Sequence, residues 1–271
     1  MKIKNYVTHI VIISFIIISL YPIIFALSNS FKKLSIAYKS TSNIIPIPFT
    51  MENYQKLIND IPLFQITLNT FIIASVVTIV KVFISFLAAY AIVFYSFRFK
   101  RATYVGLVAT IFVPFTVTMI PNYIIMAHLN FIDSPWGVIL PQIADATGIF
   151  MLTQSMRNIP KPLLESLEID NVSLGHTMKD FILPISKPAI TSTSIWFFIL
   201  SWNEYIWPNL MLKSKESFTL PLALQLFVSS EGGTDFTIAM ALSVLTMAVP
   251  LILFLIFQRF IINTFTSDGI K

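Results

Sequence analysis

Long apolar stretches separated by short polar segments are the feature that most limits what this chain can fold into. Each is about as long as the roughly 20 residues that a helix needs to cross the hydrocarbon core of a bilayer. Their residues are continuously apolar rather than alternating, which predicts helices and not the strands of a membrane barrel. The six stretches cover residues 8–27, 66–94, 104–127, 136–156, 189–210 and 236–262. We therefore expect an all-α membrane protein with six spans, folded as a single domain over residues 1–271.

The composition excludes a soluble globule, because 56% of the residues are hydrophobic and only 11% are charged, with a mean hydropathy of +0.79. An even number of spans puts both termini on the same side, and cytoplasmic loops carry the larger share of Lys and Arg. The larger set of basic residues lies on the side of the termini, which predicts that both termini are cytoplasmic. That set comprises Lys2, Lys4, Arg98, Lys100, Arg101, Arg157, Lys161, Lys179, Lys187, Arg259 and Lys271, against Lys32, Lys33, Lys39, Lys56, Lys213 and Lys215 on the other side.

A cleavable signal peptide is the alternative interpretation of the N-terminus, since Lys2 and Lys4 precede an apolar stretch that small residues follow. The stretch is longer than the usual core of a signal peptide, and its removal would leave five spans. We therefore favour an uncleaved first span. After it, the prolines within residues 28–65 predict ordered extended pieces outside the membrane.

One long charged segment, residues 157–188, lies between apolar stretches and has the pattern of two short helices joined by a turn. Pro160 and Pro162 suit the first turn of a helix, where amide protons lack intrahelical acceptors. Asn171 suits a left-handed helix stop, and Ser173 suits a helix cap. Apolar residues recur at helical spacing on both sides of that turn, which favours a segment that docks on a partner over a solvated loop. They are Leu163, Leu164 and Leu167 in the first helix and Leu174, Met178, Phe181 and Ile182 in the second.

Motifs of the common catalytic and cofactor sites are absent from the sequence, so an enzyme is not expected. There is no GxxxxGK[ST] loop for phosphates, and the seven glycines form no dinucleotide fingerprint. His9, His128 and His176 are far apart and form no HExxH pattern, and the chain has no Cys for a disulfide, a thiolate nucleophile or a metal. We expect this chain to bind no cofactor or metal.

The charged segment resembles the EAA loop of the inner-membrane permease subunits of ATP-binding-cassette (ABC) importers. The pattern of that loop is approximately EAAxxDGA followed by a hydrophobic pair and LP, and Glu165, Asp170, Phe181, Leu183 and Pro184 stand at the matching positions. In that family the loop forms a cytoplasmic coupling helix that sits in a cleft of the ATPase. The resemblance therefore implies that the charged segment couples closure of an ATPase dimer to the membrane helices.

This chain departs from the EAA pattern at several positions. Ser166 and Leu167 replace the two alanines, Asn171 replaces the glycine and Val172 replaces the following alanine. Asn tolerates a left-handed conformation better than most side chains, so the turn can be kept. Leu167 is bulkier than alanine, which implies either a reshaped ATPase cleft or weakened coupling.

The resemblance extends over nearly the whole chain and is to the carbohydrate-type permeases. Within that group, KVFISFLAAYAIV and WNEYIWP are most similar to the second permease of sn-glycerol-3-phosphate importers, with permeases for a disaccharide or polyol as the alternative. The order and spacing of the motifs carry this resemblance: SFLAAYA at 85–91, FRFKR at 97–101, IPNY at 120–123, SPWGVILP at 134–141, SWNEYIWP at 201–208, TLPLAL at 219–224 and the ending QRFIINTFTSDGIK.

The resemblance also implies a set of partners and a location. The chain is expected to pair with a second, homologous permease subunit, to dock on a dimer of ABC ATPase subunits that hold the ATP and Mg, and to receive solute from an extracytoplasmic solute-binding protein. It implies a multi-pass protein of the bacterial inner membrane that transports a sugar or sugar-like solute. ATP hydrolysis is then expected in the separate ATPase chain.

Lys81, Asn203 and Glu204 are the candidate residues of a solute path. A lysine near the middle of a span costs about 2.5–3.5 kcal/mol on insertion scales unless it snorkels or faces a polar interior. The hypotheses for Lys81 are that it attracts an anionic solute or pairs with Glu204, and the alternative is a helix interface with backbone carbonyls or water. Asn203 and Glu204 lie beside aromatic residues suited to hydroxylated ligands, although such residues are also enriched at the membrane interface. Kinks are expected at Pro114, Pro121 and Pro141.

Two alternative classes are an ion-coupled secondary transporter and a membrane scaffold without transport. A secondary transporter predicts inverted repeats and acidic residues in several spans. Only Glu204 lies clearly inside a predicted span, and the sequence does not give the depth of Asp145. A scaffold leaves the amphipathic charged segment and the family pattern unexplained.

Overall fold

In the computed structural model, helices are the only regular structure within the residues that it describes, which are 2–39, 43–228 and 235–266. Among these residues there is no strand, as the continuously apolar stretches predict. In chain order the helices are α1 (Lys2–Ser30), α2 (Leu34–Lys39), α3 (Glu52–Asp60), α4 (Leu63–Phe94), α5 (Lys100–Thr110), α6 (Phe115–His128), α7 (Pro135–Ile139), α8 (Ala146–Arg157), α9 (Lys161–Ile169), α10 (Leu174–His176), α11 (Leu183–Trp202), α12 (Ile206–Met211), α13 (Leu220–Val228) and α14 (Phe236–Thr266).

Four helical segments are long and apolar enough to cross a membrane: Val7–Ser30, Leu63–Phe94, Leu174–Trp202 and Phe236–Gln258. Two more candidates are pairs of helices that are bent at a short break. The helices α5 and α6 meet at 92°, and the helical stretch Pro135–Gln142 meets α8 at 46°. With each bent pair counted as one span, the described residues contain the six spans that the sequence predicts.

Pro114 marks the sharp bend of the third span. Its nitrogen has no proton to continue the hydrogen-bond ladder of α5, and its ring disfavours a helical conformation at the preceding residue. Its own ψ is 138°, which is extended, and α6 begins at the next residue. The kink predicted at Pro114 is confirmed, whereas Pro121 lies inside α6 without ending it. Pro141 lies in a 3-10 turn just before the bend of the fourth span.

The fifth span begins and ends earlier than residues 189–210, so the predicted bounds were wrong. A continuous helical segment covers Leu174–Trp202, and the second helix of the charged segment is the beginning of this span rather than a separate element. A π-helical stretch at Thr177–Ile182 explains the continuity. Its wider turns give room for the ring of Pro184, which clashes with the carbonyl four residues earlier in a regular α-helix.

The connection between the first two spans is more helical than its prolines predict. The helices α2 and α3 occupy parts of it, and only residues 43–51 form an extended piece between them in the described part of the connection. Asn53 on α3 is buried, donates to the carbonyl oxygens of Ser30 and Lys32 at 2.7 Å each, and accepts from the Thr237 hydroxyl at 3.0 Å. These bonds fasten α3 to the end of α1 and to the start of α14.

The helix α4 is central to the bundle, because α8 and α11 both pack along it. Three groups of buried apolar side chains follow one another along α4. Ile66 and Ala74 belong to the first group, Val77 to the second, and Phe86 and Tyr90 to the third. The third group lies at the end of α4 that the charged segment covers, so any movement of that segment acts directly on the core.

Asp133 ties two loops together at the end of the bundle opposite the charged segment. Its carboxylate accepts hydrogen bonds from the amides of Lys213 and Ser214 at 2.9 and 3.1 Å, and its own amide donates to the Met211 carbonyl at 2.7 Å. Its φ is 56°, a left-handed conformation that Asp tolerates. Burial alone would raise the pKa of this carboxyl, but the hydrogen bonds from Lys213, Ser214 and Ser217 hold the pKa below its usual value.

We expect Asp133→Ala to lower the free energy of unfolding by about 2 kcal/mol, because two amides lose a charged acceptor and Ala is strained at this φ. Asp133→Asn keeps an acceptor and tolerates the left-handed conformation, so its loss should be smaller. The stabilisation by the carboxylate is present above the ordinary carboxyl pKa and is lost as the pH falls through the lower folded-state value. Thermal unfolding of both variants in detergent, followed from about pH 7 down to about pH 3, measures these effects. Equal losses for Ala and Asn would contradict this role of the carboxylate.

Candidate functional site

The helix α9 ends in a defined turn, as its sequence predicts. Asn171 has a φ of 51°, and the Val172 amide donates to the Leu167 carbonyl at 3.0 Å. This is the six-to-one hydrogen bond of a Schellman helix end. Ser173 then accepts a hydrogen bond from the His176 amide at the start of α10. The left-handed stop at Asn171 and the cap at Ser173 are both confirmed, so the turn has a fixed shape.

The two faces of α9 differ sharply in exposure. Leu167 is 7% exposed, and Leu163 and Leu164 pack against the buried group at the end of α4. On the outer side, Ile169 is 79% exposed and Leu174, just past the turn, is 61% exposed. The volume of Leu167 is therefore taken up inside this chain. The exposed apolar pair beside a polar turn has the character of a docking surface.

Polar groups surround this exposed pair. Glu165, Ser166 and Asp170 are exposed, and Glu165 also lines a cleft of about 740 Å³ between α9 and the ends of α4 and α8. Lys100 and Arg157 are the cations of the cleft wall. Lys100 donates to the carbonyls of Val93, in the last turn of α4, and of Tyr95, just after it, at 3.1 and 2.9 Å. Arg157 lies 4.5 Å from the centroid of the Tyr104 ring of α5. Both cations therefore brace the bundle where the charged segment joins it.

The second half of the matched EAA pattern lies at the beginning of the fifth span. Phe181 is half-buried and Ile182 is fully buried in the π-helical stretch, whereas Leu183 is 44% exposed and Pro184 is also exposed. Ile182 is part of the buried group at the end of α4. It is thus Ile182, rather than Leu183, that fastens this end of the span to the core.

Lys81 is paired with Asp145 and not with Glu204. Its Nζ lies 3.2 Å from the Asp145 Oδ2 and 4.8 Å from the centroid of the Phe197 ring. Asp145 also caps α8, because it accepts from the Thr147 amide at 2.7 Å. The side chains of Lys81 and Asp145 are 13% and 27% exposed. The pair joins α4, α8 and α11 at the bend of the fourth span. Lys81 therefore lies at a helix interface, and its partner there is a carboxylate.

Asn203 and Glu204 lie where the fifth span ends, and their described hydrogen bonds are to the backbone. The Asn203 side-chain amide donates to the Ile199 carbonyl at 2.9 Å, and Glu204 Oε1 accepts from the Trp207 amide at 3.2 Å. Trp202 and Trp207 are fully buried, and their indole N–H groups donate to carbonyls of α14 and α7 at 2.9 and 3.1 Å. Both indoles are therefore core side chains, neither a platform for a hydroxylated ligand nor part of an interfacial belt, which corrects the sequence-based expectations for them.

Gly148 lets α8 approach α4 and α11 closely beside the ion pair. A Cβ at this position would lie 2.4 Å from the Ser85 hydroxyl oxygen and 2.8 Å from the Phe197 ring. Carbon atoms at such distances overlap with their neighbours, so even a methyl group has to displace a helix or a ring.

We expect Gly148→Ala to lower the free energy of unfolding by about 1–3 kcal/mol, the usual cost of overpacking. Gly106→Ala is the matched control, because Gly106 lies in α5 with nothing within 4 Å of its Cβ position. That control should be neutral or stabilising by up to about 1 kcal/mol, since Ala favours a helix more than Gly does. Thermal unfolding of both variants in detergent measures the difference, and equal shifts of the midpoint would contradict the close packing at Gly148.

Sequence reasoning missed two residues of these sites. Asp145 was noted only as an acid of unknown depth, although its place after Pro141 and before an apolar run is typical of a helix cap at a broken span. Ile169 follows Leu167 by two residues, and at 3.6 residues per turn this places it on the far side of α9 from the apolar stripe. That offset was the available signal for an exposed apolar residue.

A bundle of apolar helices that carries one amphipathic helix at a polar end defines a multi-span membrane protein. The chain belongs to the family described as binding-protein-dependent transport system inner membrane component, whose sequence pattern matches residues 81–266. Members of this family are transporter permease subunits, so the chain is not an enzyme. It is a multi-pass membrane protein.

Relatives of known description cover nearly the whole chain. The sn-glycerol-3-phosphate transport system permease protein UgpE of Rhizobium meliloti (strain 1021) is 29% identical over 269 residues, which is 96% of this chain and 95% of that protein. UgpE of Brucella melitensis biotype 1 is 28% identical over the same shares. These matches confirm the group that the motifs indicate, an ABC carbohydrate permease similar to UgpE.

The fold also matches a solved structure, that of a bacterial ABC transporter involved in the import of the acidic polysaccharide alginate. The TM-score is 0.84 over 95% of this chain and 96% of that chain, at 19% sequence identity. This likeness concerns the fold alone and confirms the all-α architecture.

Proposed function

We propose that this chain is one of two permease subunits of an ABC importer that carries sn-glycerol-3-phosphate. It acts as one permease domain with both termini in the cytoplasm. The class of importer follows from the family. The solute is supported by relatives that are named for sn-glycerol-3-phosphate and align with 96% of this chain at 29% identity.

The exposure of Ile169 and Leu174 is the observation that carries the coupling role. In the chain alone, both apolar side chains point away from the core on either side of a turn of fixed shape. Burial of such side chains on association contributes roughly 25 cal/mol per Å² of apolar surface. Exposed Glu165 and Asp170 add acceptors around the pair. An ATPase cleft that takes the turn accounts for both the apolar and the acidic groups.

The partners of the proposed importer are a second homologous permease, an ABC ATPase dimer that holds ATP and Mg, and an extracytoplasmic solute-binding protein. ATP binding closes the ATPase dimer and displaces the α9 turn. The inner face of α9 packs on the buried group that α4, α8 and the π-helical stretch share, so its displacement acts on three spans at once. The spans then switch from inward-facing to outward-facing, and hydrolysis resets them.

A disaccharide or polyol is the second candidate solute, and the Lys81–Asp145 pair is the observation that favours it. Lys81 lies 3.2 Å from a carboxylate, so it offers no net positive charge to an anionic solute. The solute phosphate then has to be recognised by other groups of the importer, or the solute is neutral.

ATP-dependent uptake of radiolabelled sn-glycerol-3-phosphate, maltose and glycerol tests this proposal. The vesicles carry the chain with its second permease, the ATPase dimer and the binding protein. We expect accumulation of sn-glycerol-3-phosphate that needs both ATP and the binding protein. Accumulation of maltose or glycerol alone would keep the importer class but replace the solute, and no ATP-dependent uptake of any compound would contradict the proposal.

A further inference from the structure

An apolar segment lies exposed outside the membrane-spanning helices. It covers residues 43–51, between α2 and α3, and has no helical structure. Ile44, Ile45, Ile47, Phe49 and Met51 are each 50–71% exposed. So many large apolar side chains on a short connection are unusual for a surface that faces only water.

The position of this segment relative to the membrane follows from its contacts with the end of α1. The Thr50 amide donates to the Phe31 carbonyl at 2.9 Å, and the rings of Phe31 and Phe49 stack with centroids 4.8 Å apart. Phe31 directly follows the span Val7–Ser30, none of whose most apolar window is buried within the chain. The segment is therefore held just beyond the end of α1, next to an apolar helix whose most apolar window this chain leaves exposed.

The backbone and the neighbouring charges suit a lipid interface. Pro46 and Pro48 have no amide proton, so the segment carries fewer donors that would need water. Exposed Lys33 and Lys39 lie just before it, at the two ends of α2. Basic residues beside apolar ones are the composition of segments that rest on membranes with anionic headgroups.

We infer that residues 43–51 insert into the headgroup region of the leaflet at the end of the bundle opposite the charged segment. The apolar side chains enter the boundary of the acyl chains, and Lys33 and Lys39 lie among anionic headgroups. A lipid surface is favoured over a protein partner because the segment lies just beyond the end of α1, whose most apolar window this chain leaves uncovered, and because basic residues lie beside its apolar ones.

Because the sequence contains no cysteine, a single introduced cysteine can be labelled specifically. Ile45→Cys and Ile47→Cys are each labelled with an environment-sensitive fluorophore in the full-length chain, reconstituted with its second permease and the ATPase dimer. Ile16→Cys on the exposed face of α1 is the control inside the membrane, and exposed Gln55→Cys on α3 is the control in water. The vesicles contain phosphatidylcholine with and without phosphatidylglycerol, and the quenchers are lipids labelled near the headgroup and aqueous iodide.

We expect the lipid quencher to reduce the fluorescence at Ile45→Cys and Ile47→Cys several-fold more than at Gln55→Cys, and more strongly when phosphatidylglycerol is present. Quenching by iodide at the level of Gln55→Cys would overturn the inference. Protection from both quenchers would also overturn it, with or without the solute-binding protein, because a protein partner then covers the segment.

Discussion

Lys81→Met is expected to destabilise the protein by about 3 kcal/mol, because it leaves the partly buried Asp145 carboxylate without its cation. The loss of one partner of a buried ion pair typically costs about 3–5 kcal/mol. The lower end applies here, since the Asp145 side chain is 27% exposed and is therefore not fully buried within the chain. Thermal unfolding of the purified variant in detergent measures the loss, together with the amount of chain that inserts into the membrane.

The double variant Lys81→Met/Asp145→Leu separates the charge from the packing. With both charges removed, no unpaired ion remains, and we expect at least half of the lost stability to return. Full recovery is not expected, because Asp145 also caps α8 through the Thr147 amide. A double variant that is less stable than either single variant would contradict the ion pair as the cause.

An exposed ion pair elsewhere in the chain supplies the control for this cycle. Lys56 and Glu52 on α3 lie 3.8 Å apart, with side chains 51% and 48% exposed. Exposed pairs contribute about 0–1 kcal/mol, so Lys56→Met should change the unfolding midpoint little. Equal changes of the unfolding midpoint in Lys56→Met and Lys81→Met would contradict the importance of the burial of the Lys81–Asp145 pair.

Ile169→Asp is expected to abolish coupling while the chain still folds. The side chain is 79% exposed, so the substitution changes no core contact of this chain. A charge at the centre of a docking surface typically costs more than about 2 kcal/mol of binding, which is roughly thirtyfold in affinity. We expect ATP-driven uptake to fall at least tenfold, and the stimulation of ATP hydrolysis by loaded binding protein to be lost.

Two further variants define which feature of the segment matters. Glu165→Ala/Asp170→Ala removes the acidic groups around the turn and should also reduce uptake, since both side chains are exposed beside the proposed docking surface. Asp180→Asn is the control, because it removes an exposed charge of the same segment beyond the turn. Unchanged uptake by Ile169→Asp, with the complex assembled, would contradict docking through the α9 turn.

The features that depend on residues close together in the chain were predicted correctly from the sequence. Pro114 bends the third span because it lacks an amide proton, and Asn171 ends α9 because Asn accepts a positive φ. Both effects act within a few residues of the chain. The apolar stretches likewise predicted the all-α class and six spans, since backbone groups in a bilayer must be satisfied within the segment.

Features that depend on a distant residue were not predictable in this way. The partner of Lys81 is 64 positions away in the chain, and the pair expected from the sequence was with Glu204 and not with Asp145. Trp202 and Trp207 have the composition of an interfacial belt, but their indoles are fully buried against α14 and α7. The π-helical stretch was also missed, because prolines in a sequence usually indicate a break and only the packed helix shows how Pro184 is accommodated.

The most direct test of the account is uptake into vesicles that carry both permeases and the binding protein, with and without the ATPase dimer and ATP. We expect solute to accumulate only when the ATPase and ATP are present, and Ile169→Asp to remove this accumulation. Accumulation without the ATPase, driven by an ion gradient alone, would identify a secondary transporter and contradict the coupling role of the α9 turn.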